Sequence, residues 1–162
     1  MSNVLDEHSK NLGKIVANLQ SLEFSLRVFL LEADGTRSNV DYSRLNVGDQ
    51  IAEDAFTNWD QLSDLIRKYN ERVMSIDSSM CIDHSIVEIR HALAHGRVSA
   101  YSPEEPMHLL KFSEPKNKHV EVTYNAEMNA TWFGEQIKRV LDAIIKVVDA
   151  CKKLGMATFN HS

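Results

Sequence analysis

The chain has 162 residues, of which 43% are hydrophobic and 25% are charged, and its formal net charge is −5. This length supports a hydrophobic core without disulfides or a structural metal, and this composition excludes a wholly disordered or collagen-like chain. The acidic balance disfavours a broad basic surface that coats nucleic acid, but it leaves room for a small local phosphate site.

The two cysteines, Cys81 and Cys151, lie in helical patterns, and neither has a second cysteine at metal-ligand spacing. We therefore expect reduced thiols in the core of a cytoplasmic protein. The N-terminus lacks a basic start followed by an apolar run, and no stretch approaches the roughly 20 apolar residues of a membrane span. These features predict a protein without membrane contact.

Two long helices are predicted at the ends of the chain. Apolar residues at alternating spacings of three and four predict a helix from about Val4 to Ala33, with Asp34-Gly35 as its stop; they are Leu12, Ile15, Leu19, Leu22, Leu26 and Phe29. A broad apolar face predicts the last helix, with Asn125 or Asn129 as its cap and Gly155 as its end; it runs through Phe133, Ile137, Val140, Leu141, Ile144, Ile145, Val148, Cys151 and Leu154.

The middle of the chain predicts two further helices. Residues 35–48 lack a sustained period and predict a loop. A helical pattern from Trp59 to Ile76 follows, capped by Thr57 or Asn58 and with a short helical turn at 49–56 as an optional addition. A third helix should begin at 77–79 and end at Gly96. The large aromatic side chains are expected in the core; they are Trp59, Tyr69, Trp132 and Phe133.

The period changes before the last helix. Residues 107–112 and 119–124 are partly β-branched or aromatic and are separated by the polar stretch 114–118, which predicts a β-hairpin. The fold is therefore expected to be mainly α. We predict an up-down helical bundle of four to five helices with a small β-hairpin before the last helix. Residues 1–162 should form one domain, with flexible ends at about 1–3 and 156–162.

The third helix concentrates the chemistry. At about 100° per residue, the apolar residues fall within roughly 60° of one another and define a buried face; they are Ile82, Ile86, Ile89 and Leu93. A second, polar stripe lies well away from that face and comprises His84, Glu88, His91 and His95. Arg90 lies between the two, and small residues at 85, 92 and 96 would permit close approach of another backbone.

Three interpretations of this stripe compete. His91 and His95 are four apart and could ligate one metal with His84 or Glu88, but no zincin-type motif or cysteine supports such a site. Arg90 could instead grip a phosphate while His95 transfers a proton near neutral pH, as metal-free cleavage of RNA requires. The stripe could also be an ordinary solvated face, an interpretation that spacing alone favours.

The segment Arg90-His91-Ala92-Leu93-Ala94-His95-Gly96 resembles the motif of the HEPN superfamily, in which an arginine and a polar residue precede a histidine after four to six intervening positions. The resemblance implies an all-α, commonly dimeric bundle. Many members are metal-independent endoribonucleases of toxin–antitoxin, abortive-infection and other defence systems, whereas others only bind nucleotides or partners. Four positions intervene here, and His91 stands where asparagine is commonest.

The resemblance assigns roles to residues. Arg90 and His95 would form the catalytic pair, with Arg90 stabilising the transition state, His95 acting as acid or base and His91 assisting. Arg97 stands where one branch carries a modified tyrosine, so regulation at that tyrosine is not supported. We expect Arg97, Glu88 and His84 to contact substrate. Lysines 111, 116 and 118 on the hairpin could guide RNA, although such lysines more often only aid solubility.

The leading hypothesis is therefore a cofactor-free and metal-free endoribonuclease, a toxin or antiviral effector whose partners are RNA and an antitoxin or regulatory protein. Arg90 and His95 differ by about 140° around the helix, so a second copy of the chain across a two-fold axis would bring an arginine and a histidine from each subunit into one cleft. The alternative is a non-catalytic HEPN-like module that binds a nucleotide or a partner protein. Its acidic composition fits that alternative.

Overall fold

The structure, a computed structural model, describes residues 4–35, 40–100, 102 and 105–156. In this part of the chain the α-helices are α1 (Val4–Ala33), α2 (Leu62–Val73), α3 (Ile86–His95) and α4 (Ala130–Lys153), and the strands are β1 (Arg97–Ser99), β2 (His108–Phe112) and β3 (Val122–Glu127). The prediction of a mainly helical chain with a small β element before the last helix is confirmed. Residues 1–3 and 157–162, which are predicted to be flexible, lie outside the described residues.

The chain divides into two compact units, each built from two segments. The first unit comprises Met1–Gln20 and Ser85–Asp142, and the second comprises Ser21–His84 and Ala143–Ser162. Helices α1 and α4 each contribute one half to each unit. The four-to-five-helix bundle and the single domain therefore stay predictions.

The two predicted long helices are confirmed. Helix α1 spans Val4–Ala33 and is followed by Gly35 at a φ of +69°. Its apolar seam is buried except at Leu12, which is half-buried. Helix α4 begins after Asn129, whose Oδ1 accepts the backbone N–H of Trp132 at 2.9 Å, and it is followed by Gly155 at a φ of +63°. Asn129, rather than Asn125, is therefore the cap.

The first unit carries a three-stranded antiparallel sheet in the order β1-β2-β3. Strands β2 and β3 form the expected hairpin, whose tight turn places Asn117 and Lys118 at positive φ. The second strand of this hairpin, β3, begins at Val122 rather than at position 119 and runs to Glu127. Strand β1 was not predicted, because its three residues are all exposed and carry no alternation.

The buried residues of the first unit's regular elements come from its helices and from strand β2. The large apolar side chains with at most 7% exposure include Ile15 and Leu19 of α1, Ile86, Val87 and Ile89 of α3, Leu109 of β2, and Phe133 and Val140 of α4. Helix α3 and the sheet thus meet in a common core, which fixes the position of the predicted site.

The second unit corrects both boundaries of the second predicted helix. Helix α2 runs from Leu62 to Val73 rather than from Trp59 to Ile76. Residues 49–56 form no helix, because 49–54 have no regular structure and a turn follows at 55–57. Arg27 donates hydrogen bonds to the carbonyls of Asn58 and Asp60 at 3.0 and 2.7 Å, and so holds the preceding segment outside the helix. Trp59, expected in the core, is 96% exposed, so that prediction was wrong.

The third predicted helix also begins later. Residues 78–80 form a single 3-10 turn, and α3 starts only at Ile86. Asn70 of α2 explains the delay, because its side chain accepts the backbone N–H of Ile82 and donates to the carbonyl of the same residue, both at 2.8 Å. The backbone at position 82 is therefore satisfied without a helix. In the described part of the chain, no helix is both long and apolar enough to cross a membrane.

Candidate functional site

Helix α3 presents the predicted motif at the edge of the first unit's core. Ile86 and Ile89 are buried as expected, whereas Leu93 is half-buried and Val87 and Ala92 are buried in addition. Ala92 thus belongs to the packed face instead of leaving space for another backbone. The buried face directs the remaining side chains of the helix toward solvent.

Three members of the predicted polar stripe lie on this helix. Glu88 and His95 are exposed, and His91 is half-buried. The rings of His91 and His95 stand 6.2 Å apart between centroids at an interplanar angle of 60°. His84 precedes the helix, in a turn of the second unit, so the prediction that it continues the stripe on the helix was wrong.

Three polar side chains of α3 make no hydrogen bond or ion pair with other described residues. Arg90 is half-buried, yet among the described residues its guanidinium has no hydrogen-bond or ion-pair partner, and the same holds for the side chains of Glu88 and His95. A half-buried arginine whose guanidinium has no carboxylate partner can bind an external anion.

Strand β2 adds a cation that faces the helix. Side chains alternate along a strand, so Lys111 shares a face with Leu109, which is fully buried against the end of α3. Burial lowers the pKa of His91, and the charges of Lys111, Arg90 and His95, in that order, lower the same pKa further. His91 therefore lies within electrostatic reach of three basic side chains.

Gly96 makes this approach of helix and strand possible. Its φ is −76°, so no left-handed conformation demands a glycine. A Cβ at this position would instead lie 2.3 Å from the Ala92 carbonyl oxygen, 2.7 Å from Leu109 Cδ1 and 3.0 Å from the Leu110 carbonyl oxygen. The residue confirmed as the end of α3 is thus a glycine because of close packing rather than backbone conformation.

Arg97 lies apart from this cluster. In β1 it pairs with Leu110, and directly opposed side chains of antiparallel strands share one face of the sheet. Its guanidinium carbon stands 5.6 Å from the centre of the Phe112 ring on that face, whereas Leu109 and Lys111 occupy the other. The structure therefore brings together Arg90, His91 and His95 with Lys111, and does not bring Arg97 to them.

Lys111 is the residue whose place the sequence did not reveal. It was grouped with lysines 116 and 118, which lie in and beside the exposed hairpin turn. The apolar Leu109 two positions earlier was the available signal, because it indicates which face of the strand turns inward. The position of Leu109 places Lys111 beside α3 only once α3 is known to pack against that face of the strand.

The described residues contain no group of three or more histidine, cysteine or acidic side chains arranged to hold a metal ion. Cys81 and Cys151 are free thiols, half-buried and buried respectively, and both belong to the second unit. No protein-family model, curated protein or solved structure matches this chain. The HEPN resemblance and the homodimer therefore stay predictions.

Proposed function

We propose that the protein is a metal-independent endoribonuclease whose site comprises Arg90, His91, His95 and Lys111. It would act as a toxin or antiviral effector under the control of an antitoxin or another regulatory protein. The observation that supports the proposal is the half-buried His91, whose pKa is lowered by burial and then by three neighbouring basic side chains, none of which pairs with a carboxylate among the described residues.

The cations suit the charge that develops during phosphodiester cleavage. As the ribose 2′-oxygen attacks phosphorus, the nonbridging oxygens gain negative charge, which preorganised donors stabilise more strongly than they stabilise the ground state. Arg90 can offer two parallel N–H groups to these oxygens, and Lys111 adds a point charge from the sheet.

One imidazole, that of His95, can provide both proton transfers. Neutral His95 takes the 2′-hydroxyl proton as the 2′-oxygen bonds to phosphorus, and the imidazolium so formed gives that proton to the 5′-oxygen as its bond to phosphorus breaks. His91, whose lowered pKa keeps it uncharged at neutral pH, orients the substrate or assists His95. Glu88, exposed one helical turn before His91, is assigned to contact with a ribose hydroxyl.

A second copy of the chain completes the proposed site. Arg90 and His95 point about 140° apart around α3, so one helix offers them poorly to a single phosphate. A two-fold axis beside α3 would place the arginine of one copy opposite the histidine of the other. Mixed dimers that combine an Arg90→Ala chain with a His95→Ala chain test this directly, because one of the two arginine–histidine pairs across the axis is intact and activity should return.

The decisive experiment measures cleavage of a mixed RNA pool in the presence of a chelator. We expect Arg90→Ala and His95→Ala to lose about 10²–10³-fold in rate, and Lys111→Ala about tenfold, the size of one partly screened charge contact. Arg44→Ala, His119→Ala and Lys138→Ala are matched controls at exposed positions and should retain activity. Equal activity in all variants would refute the site, and products without a 2′,3′-cyclic phosphate would refute the mechanism.

One observation favours the alternative of a non-catalytic module that binds a partner protein. Trp59 is 96% exposed although its neighbours Asn58 and Asp60 are held by Arg27, and exposed tryptophans are frequent anchors of protein interfaces. A partner that loses affinity for the Trp59→Ala variant, together with an absence of RNA cleavage by the wild type, would replace the ribonuclease proposal by this one.

A further inference from the structure

We propose that a pocket beside the first turns of α1 binds a small uncharged heteroaromatic molecule. The pocket lies entirely within the first unit and has a volume of about 210 Å³. It is lined by Glu7, His8, Asn11, Pro106, Met107, Met128, Asn129, Ala130 and Phe133. None of these residues belongs to the proposed ribonuclease site, so the inference is independent of that proposal.

The size and the walls of the pocket suit a flat ring system. An apolar cavity of about 150 Å³ suffices for a benzene-sized ligand, so about 210 Å³ accommodates a fused bicycle. Met107, Met128 and Phe133 form apolar walls, of which Met128 and Phe133 are buried. Methionine side chains adapt to irregular shapes and contact aromatic rings favourably.

His8 supplies an unexplained polar group in the wall. It is only 8% exposed, its ring packs edge-on against Phe133 with centroids 5.4 Å apart, and its Nδ1 is buried without a hydrogen-bond partner. Buried polar atoms are nearly always paired, and an exception indicates a missing ligand, ion or water. Because an unpaired buried N–H is rarer than an unpaired lone pair, the tautomer with the proton on Nε2 is favoured.

The polar groups of the pocket are grouped on one side. Glu7, His8 and Asn11 lie on neighbouring turns of α1, at spacings that place their side chains together. The Asn11 amide has no hydrogen bond to another described side chain, whereas the Asn129 amide already caps α4 and donates to Glu127 at 3.0 Å. The free amide, the carboxylate and the imidazole can thus bind the polar edge of a ring whose face lies on the methionines.

The charge of the wall selects against anions. Among the lining residues that the structure describes, Glu7 is the charged one, and there is no lysine or arginine. Burial lowers the pKa of His8, so the imidazole contributes no positive charge at neutral pH. A phosphate-bearing ligand would meet a carboxylate without a compensating cation, which costs affinity. A ring with an N–H donor can instead donate to His8 Nδ1 or to the Glu7 carboxylate and accept from the Asn11 amide.

Benzimidazole and indole are suitable probes, with adenosine 5′-monophosphate as the charged comparison. In the full-length protein with 13C-labelled methionine methyl groups, we expect benzimidazole to shift the Met107 and Met128 signals saturably. His8→Phe preserves the ring against Phe133 but removes both nitrogens, and should weaken binding at least tenfold. Ala130→Trp, at an exposed lining position, should abolish binding by filling the mouth.

The controls separate this site from the ribonuclease site. His119→Phe changes an exposed histidine of the hairpin, and it should bind benzimidazole as the wild type does. Arg90→Ala should also bind normally, whatever its effect on RNA cleavage. The inference is overturned if neither probe shifts the methionine signals, which would mean that the pocket holds water only. It is equally overturned if His8→Phe binds as tightly as the wild type, or if the nucleotide binds more tightly than benzimidazole.

Discussion

His8 and His91 lie in the same compact unit, and the pKa of each is below the ordinary value of 6.5, but the causes differ. Burial alone lowers the pKa of His8. Burial lowers that of His91 first, and Lys111, Arg90 and His95 then lower it further. A lowered histidine pKa therefore does not by itself identify a phosphate site; the neighbouring charges do.

The surroundings of the two histidines suit opposite ligands. Around His91, Arg90 of α3 and Lys111 of β2 have no carboxylate partner among the described residues and favour an anion. Around His8, methionine and phenylalanine walls with one carboxylate favour an uncharged ring. The following experiments separate the two environments, beginning with the largest expected effect.

Replacing Gly96 by alanine should disrupt the cationic environment and spare the pocket. The new Cβ would overlap the Ala92 carbonyl and the Leu109 side chain, both of which are packed in the core. We expect a loss of roughly 1–3 kcal/mol in the free energy of unfolding, as for other overpacked positions, and a weaker electrostatic effect of Lys111 on His91. Urea denaturation measures the first effect.

Gly13→Ala is the matched control for this substitution. Gly13 lies inside α1, and apart from its neighbours and the backbone of its own helix, no described atom stands within 4 Å of the Cβ that alanine would add. Alanine should therefore stabilise the helix by up to about 1 kcal/mol. If both substitutions changed stability equally, close packing at Gly96 would not be the reason for its glycine.

The stability of the protein should fall as the pH is lowered from 7.5 through 6.5. Both histidines have lowered pKa values in the folded state, so the unfolded chain binds protons first on acidification and gains population. In His8→Phe this loss should be smaller, because one of the two groups is gone. Denaturation midpoints at pH 7.5 and 5.5 provide the test, and an unchanged difference between them would show that His8 does not contribute.

Removing the positive charge of Lys111 should raise the pKa of His91 and leave that of His8 unchanged. Lys111→Met keeps an aliphatic side chain of similar length beside Leu109 while it deletes the charge. Proton NMR titration of the two imidazoles measures both values in one sample. A shift of His8, or none of His91, would contradict the placement of Lys111 on the α3 face of the sheet.

The salt concentration should produce the smallest difference between the pKa responses of the two histidines. Raising the ionic strength from 0.1 to 1 M shortens the Debye length from about 10 to 3 Å and so screens the cations around His91. The pKa of His91 should therefore rise toward its ordinary value, whereas burial holds that of His8 in place. The same NMR titration at two salt concentrations decides the matter, and equal shifts would make burial the common cause.

The sequence predicted the parts of the fold that depend on local periodicity. Helix α1 and the buried face of α3 at Ile86 and Ile89 follow directly from apolar spacing. Trp59 continued the apolar spacing of α2, but Arg27, some thirty residues away in the chain, holds the backbone on either side of it. No local pattern encodes such a contact.

The sequence predicted only the part of the candidate site that lies on α3. Arg90, His91 and His95 were named from their motif, whereas Lys111 joins them through a strand register that no short motif reveals. His8 was missed for a related reason. It lies one turn before the apolar seam of α1, and its burial depends on Phe133, 125 positions later.

The two tryptophans give the protein an unequal pair of optical probes. Trp59, almost fully exposed, already emits from water in the native state, so unfolding changes its surroundings little. Trp132 is half-buried, donates from Nε1 to the Tyr124 hydroxyl at 3.3 Å, and packs against Phe133. Intrinsic fluorescence should therefore report the unfolding of the first unit and change little when the second unit unfolds. In Trp59→Phe the remaining signal would come from the wall that Phe133 shares with the His8 pocket.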